Sequence, residues 1–177
     1  MHPDGIKILF SEEQLAQKVT QLAQQISADF AGKELLVIGI LKGATIFLAD
    51  LVRKITVPTY YDFMAVSSYG SATTSSGTVR LLKDLDYNIE DRHILIVEDI
   101  VDTGLTLNYL LENLNSRKPA SISLCALLDK PSRRVKSVTI NYCGYAIPDE
   151  FVVGYGLDYN EAYRNLPYIM VLDQQKL

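Results

Sequence analysis

Apolar residues recur along this chain with two periods, and the period separates helix from strand. Leu15, Val19, Leu22, Ile26 and Phe30 fall three or four residues apart, which gathers them on one face of a helix. Ser11 with Gln14 three residues on has the form of a capping box, so that helix is expected to start there and to end near Gly32. Leu35 to Ile40 is almost continuously apolar, the pattern of a strand buried on both faces. Lys42-Gly43 closes it, and Ile46, Leu48, Leu51, Val52 and Ile55 predict the next helix. Pro58 to Val66 reads as another strand. Ser67 to Thr78 is rich in Ser, Thr and Gly with almost no apolar anchor, and is expected to be a mobile loop or the tip of an extended hairpin. Ile94-Leu95-Ile96-Val97 predicts a short buried strand, and Leu107, Leu110, Leu111 and Leu114 return to helical spacing. Ser121 to Leu128, Val138 to Tyr145 and Phe151 to Tyr155 are all strand-like.

Strands alternating with helices indicate an α/β fold with a central parallel, twisted sheet covered by helices on both faces. In such sheets ligands sit beyond the C-terminal ends of the strands. The loops after Ile40, Val97 and Leu128 are expected there by construction. The 177 residues are 48% hydrophobic, enough for one domain, residues 1–177, with a substantial core.

Composition mostly removes possibilities. No apolar stretch approaches the length of a membrane span, and the first ten residues lack a signal-peptide pattern, so a cytoplasmic location is expected. Cys125 and Cys143 sit in apolar runs without metal-like spacing and read as reduced core thiols. With only His2 and His93, a His-based triad or His-rich metal site has too few residues. A net charge of −4 argues against general nucleic-acid binding. The one dense basic run, Lys130 to Lys136, reads most simply as a solvated loop.

The chemistry concentrates in Val97-Glu98-Asp99-Ile100-Val101-Asp102-Thr103-Gly104-Leu105-Thr106. A buried strand runs into two adjacent carboxylates, a third, a small turn and then a helix. Thr103-Gly104-Leu105-Thr106 offers hydroxyls, backbone N–H groups and a helix N-terminus, which suit a phosphate. Carboxylates accept hydrogen bonds from sugar hydroxyls and bind Mg²⁺. Both needs at one strand end describe a sugar phosphate. No Walker A string and no GxGxxG occurs.

This segment resembles the signature of the type I phosphoribosyltransferases, enzymes that bind phosphoribosyl pyrophosphate (PRPP). From the first helix to the C-terminus the chain is similar to the bacterial hypoxanthine–guanine branch of that family. The resemblance implies the type I fold, with a small hood formed by the N- and C-terminal segments. It implies transfer of phosphoribosyl from PRPP to hypoxanthine or guanine, giving IMP or GMP and pyrophosphate, with Mg²⁺ as cofactor. By analogy the chain forms a homodimer or homotetramer. On the family's pattern Glu98 and Asp99 hold the ribose hydroxyls close to one Mg²⁺, and Asp102 is the general base near purine N7. Thr103, Gly104, Leu105 and Thr106 take the 5′-phosphate, and Lys42-Gly43 forms the pyrophosphate loop, with the Leu41–Lys42 peptide expected to be cis. Ser68-Tyr69 matches the pair on the lid loop.

Phe151 to Asn160, followed by Arg164, resembles the family's purine end. There Phe151 stacks on the base, Val152 offers backbone hydrogen bonds, and Lys130 reaches the 6-oxo group. Asp158 lies near a second Mg²⁺ and Arg164 near pyrophosphate. Two alternatives share the fold: a regulator that binds PRPP or nucleotides and controls transcription through RNA or DNA, and a pyrimidine or adenine phosphoribosyltransferase. The acidic charge and short chain disfavour the first, and Lys130 with Phe151-Val152 disfavours the second.

Overall fold

The computed structural model describes residues 7–68 and 79–172. Strand β1 (Lys7–Phe10) leads into helix α1 (Glu12–Asp29). The capping box forms: the Gln14 backbone N–H donates to the Ser11 hydroxyl, and the Ser11 N–H donates to the Gln14 side chain. The helix stops at Asp29, before Gly32, where the Phe30 N–H closes the last turn onto Ile26. Strand β2 (Leu35–Leu41) and helix α2 (Thr45–Val52) follow, leaving Ile55 beyond the helix but packed against the core. Strand β3 (Thr59–Ser68) pairs antiparallel with β4 (Val79–Lys83), a strand the polar spacing around it conceals. Next come β5 (His93–Val101), α3 (Leu105–Asn115) and β6 (Ser121–Asp129). Strands β7 (Tyr142–Ala146), β8 (Val152–Val153) and β9 (Ile169–Val171) complete the fold.

The main sheet has the order β4-β3-β2-β5-β6-β7, parallel throughout except for the β3–β4 pair. Strand alternation divides its core cleanly. Leu35, Val37, Leu95, Val97, Cys125 and Leu127 pack on one face with Leu15, Val19 and Ile26 of α1 and Phe47 and Leu51 of α2. Leu36, Ile38, Ile94, Ile96, Leu124 and Ala126 pack on the other with Leu107, Leu110 and Leu114 of α3. This is why the central strands read as unbroken apolar runs. A second, antiparallel sheet, β1-β9-β8, joins the two ends of the described chain as the small hood. Among the described residues no helix is long and apolar enough to cross a membrane.

Three expectations are corrected. Strand β5 does not end at Val97 but continues through the carboxylates, because Glu98, Ile100 and Val101 pair with Ala126, Leu128 and Asp129 of β6. The segment 138–141 is irregular, and β7 starts only at Tyr142. Val138 and Ile140 are apolar because they pack against the α3-side core, and Asn141 accepts the Leu124 N–H through its side chain. Of the two thiols only Cys125 is buried, while Cys143 on β7 is exposed. Tyr69 and the stretch 69–78 lie outside the described residues, as does the side chain of Ser68.

Candidate active site

The C-terminal ends of β2, β5 and β6 converge, and two adjoining cavities open there. The larger, about 640 Å³, is lined by Asp99, Asp102, Lys130, Arg133, Asp149, Phe151, Val152, Leu157 and Asp158. The smaller, about 230 Å³, is lined by Glu98, Thr103, Gly104 and Thr106 with Ile40, Leu41, Val66 and Leu107. Ile100 and Asp102 line both. Successive strand residues point to opposite sides, so Glu98 and Asp99 serve different cavities although they are adjacent in sequence.

Both carboxyls are partly exposed at the cavity walls yet enclosed by protein. Burial, reinforced by the neighbouring Asp99 charge, raises Glu98 well above the usual carboxylate range. Burial likewise raises Asp99, to about 6, opposed by its backbone hydrogen bonds and the Arg164 charge and assisted by the Asp158 charge. Groups held this way accept a cation readily, because the cation removes the cost of ionising them. Asp158 adds a third hard oxygen donor to the larger cavity. Among the described residues no three His, Cys, Asp or Glu side chains converge on one metal point. The carboxylates of Asp99 and Asp158 are hard oxygen donors of the kind that suit Mg²⁺, which takes one or two carboxylates plus substrate oxygens and water.

The loop after β2 closes against this point. The Leu41–Lys42 peptide is cis. A Cβ on Gly43 would fall 1.7 Å from Asp99 Oδ2, so only glycine lets the loop lie here.

The turn after β5 is built to leave N–H groups available. Gly104 has φ +80°, and a Cβ there would meet the Lys136 carbonyl at 2.3 Å. The Asn108 N–H donates to the Gly104 carbonyl and starts α3, so the first-turn amides have no helix partner, although the Leu105 N–H reaches the Thr103 hydroxyl at 3.4 Å. The basic run Lys130 to Lys136 is not a free solvated loop. The Val135 and Lys136 amides both donate to the Thr103 carbonyl, and Arg134 pairs with Asp129 and donates to the Asp102 carbonyl. Arg133 Nε lies 3.2 Å from Asp102 Oδ1, and its NH1 3.6 Å from Asp149 Oδ2. Lys130 is only 8% exposed, with its Nζ 3.7 Å from Asp149 Oδ1. Arg133 and Asp149 escape sequence reasoning. The basic run is the only signal for Arg133, and nothing local marks Asp149.

The hood supplies the opposite wall. Phe151 is 38% exposed and braced edge-on by Tyr159, with ring centroids 5.8 Å apart. Val152 belongs to β8, an edge strand whose outer backbone groups have no ladder partner among the described residues. Arg164 pairs with Asp158 at 2.8 Å and donates to the Gly156 carbonyl at 2.8 Å. Lys42 pairs with Glu161 at 2.9 Å. Of the described positions expected from sequence, Glu98, Asp99, Asp102, Thr103, Gly104, Thr106, Lys130, Phe151, Val152 and Asp158 line the two cavities, and Lys42, Gly43, Leu105 and Arg164 adjoin lining residues.

Sequence and structure comparisons agree with this geometry. Residues 5–160 match the phosphoribosyl transferase domain, and the chain belongs to that family. It is similar to the hypoxanthine-guanine phosphoribosyltransferase of Mycobacterium avium, with 52% identity over 98% of this chain and 89% of the relative. The enzyme of the same name from Streptococcus thermophilus is 49% identical, over 99% of this chain and 97% of its own. A solved hypoxanthine phosphoribosyltransferase from Staphylococcus aureus matches with a TM-score of 0.93 at 47% identity, covering 96% of this chain and 92% of that one.

Proposed function

We propose that this chain transfers the phosphoribosyl group of PRPP to hypoxanthine or guanine, forming IMP or GMP and pyrophosphate, a step of purine salvage. One observation carries the reading: Asp102 stands between a cavity framed by a phosphate-type turn and a cavity holding buried Lys130 opposite Phe151. The first suits ribose 5-phosphate and the second a flat 6-oxopurine.

In this reading the first-turn amides and hydroxyls of Thr103 to Thr106 bind the 5′-phosphate, and Glu98 and Asp99 accept from the ribose hydroxyls. Phe151 packs on the purine face, the outer edge of Val152 meets its rim, and Lys130 donates to the 6-oxo group. Adenine, with a donor amino group there, leaves the buried ammonium without its acceptor. As the base attacks the anomeric carbon, pyrophosphate leaves and Asp102 takes the proton from purine N7. Lys42, the Gly43 loop and Arg164 face the departing pyrophosphate. Glu98, Asp99 and Asp158 would hold Mg²⁺, which would supply charge neutralisation for the leaving pyrophosphate. We further assign residues 1–177 to one catalytic domain, acting in the cytoplasm as a homodimer or homotetramer.

The test is nucleotide formation from PRPP and Mg²⁺ with hypoxanthine, guanine, xanthine, adenine and uracil offered separately. Hypoxanthine and guanine are expected to turn over, and Asp102→Asn to lower kcat by about 10²–10⁴-fold. PRPP binding without turnover of any base would overturn the reading in favour of a regulator.

A further inference from the structure

Glu161 has no part in the reaction just described, yet one of its oxygens reaches both cations at the cavity rim. Its Oε2 lies 2.9 Å from Lys42 Nζ and 3.4 Å from Arg164 NH2. These two residues come from opposite ends of the chain. The carboxylate is presented by a tight turn in which Tyr159 and Ala162 exchange backbone hydrogen bonds and the Glu161 N–H donates to Asp158 Oδ2 at 2.9 Å. Asn160, Glu161 and Tyr163 all have positive φ, at 48°, 63° and 74°, without being glycine. Such backbone persists only where surrounding contacts determine it, and it clusters at functional sites.

We propose that the Glu161 carboxylate is a built-in substitute anion for the pyrophosphate group, occupying Lys42 and Arg164 until PRPP or pyrophosphate displaces it. The inference rests on the reading of Lys42 and Arg164 as pyrophosphate contacts. Charge argues for displacement over partnership. A carboxylate beside a bound pyrophosphate would repel it, whereas the same carboxylate in the free enzyme pairs with Lys42 and gives Arg164, already bonded to Asp158, a second acceptor. The side chains of Lys42 and Glu161 are 67% and 65% exposed, and such pairs are weak and easily exchanged. Glu161 would thus lower affinity for pyrophosphate and favour its release.

The experiment is calorimetric titration of magnesium pyrophosphate into the full chain, as wild type, Glu161→Gln and Lys42→Met. Glutamine keeps the size and hydrogen bonding of the side chain and removes the charge. Glu161→Gln is expected to bind pyrophosphate about twofold to fivefold more tightly at low salt, with the KM for hypoxanthine unchanged. Lys42→Met is expected to bind it more weakly. Equal or weaker binding by Glu161→Gln, with Lys42→Met weakened, would overturn the role of Glu161 alone. Unchanged binding by Lys42→Met would overturn the pyrophosphate reading of the loop and this inference with it.

Discussion

The Asp99 carboxylate lies over Gly43 so closely that a side chain of any size at position 43 would occupy the place of Asp99 Oδ2. The stacking continues, since a Cβ on Gly156 would fall 2.1 Å from the Gly43 carbonyl. The end of β5, the loop after β2 and the loop after β8 are therefore interleaved, with two glycines as the spacers.

Gly43→Ala must push Asp99 aside or lift the pyrophosphate loop, because the clash is with a carboxylate rooted in a strand. Misplacement by about 1 Å costs roughly 10²-fold in well-oriented reactions. We expect kcat/KM for PRPP to fall by about that factor while far-ultraviolet circular dichroism stays that of the wild type. Activity within about twofold of wild type would show that Asp99 has freedom to move.

If Asp99 holds PRPP as proposed, its raised carboxyl gives PRPP binding a pH dependence. Its value of about 6 means that the free protein holds the proton below that pH and releases it above. Ribose hydroxyls and Mg²⁺ require the ionised form, so affinity for PRPP with Mg²⁺ should be level above about pH 6 and fall by about tenfold per unit below it. Glu98, shifted in the same direction, steepens the fall. Titrations in buffers of different ionisation enthalpy should register proton release near pH 6 that fades toward pH 8. Affinity independent of pH across that interval would contradict the assignment.

In the proposed reading base choice rests on one buried cation, Lys130. Lys130→Gln exchanges a pure donor for an amide that can also accept from the 6-amino group of adenine. An unmet buried group costs about 1–3 kcal/mol, or roughly 5–150-fold. The ratio of kcat/KM for hypoxanthine over adenine should fall within that range, mostly through loss of hypoxanthine activity. A ratio like that of the wild type would mean that the backbone of Val152 reads the base without help.

Stability away from the site hinges on Asp62, 5% exposed beneath the β3–β4 arm. Burial pushes its carboxyl upward, but the Asp86 and Phe63 amides and the Lys83 ammonium, 3.2 Å away, outweigh burial and hold it below the usual range. A carboxyl lowered in the folded state stabilises above its unfolded value of about 3.9 and loses that contribution as pH falls through the folded value. Asp62→Asn should therefore cost about 1–3 kcal/mol at pH 7, below the roughly 3–5 kcal/mol of a fully buried pair because Lys83 is 38% exposed. The difference in urea midpoint between the two proteins should shrink below about pH 4.

Short-range physics was legible in the chain itself. The capping box at Ser11 and Gln14 and the unbroken apolar runs of β2, β5 and β6 act between neighbours in sequence or through one periodicity. The acid–turn–helix string is likewise contiguous, so its phosphate-binding potential could be read directly, and family resemblance extended the reading to Lys130, Phe151 and Asp158. Strands of two to four residues such as β1, β8 and β9 are too short to carry a period, and the β1–β9 pairing joins residues more than a hundred positions apart.

The sequence by itself determined the sheet, its covering helices and the location of the chemistry at the strand ends, because these follow from hydrophobic period and local turn chemistry. Only the tertiary structure decided how the charges are shared out. It sends Glu98 and Asp99 to opposite sides of β5, presses Asp99 onto Gly43, sets Arg133 against Asp102, and brings Glu161 between Lys42 and Arg164. Coulombic and steric contacts depend on distance in space, and the chain reveals that distance only where it is also distance along the sequence.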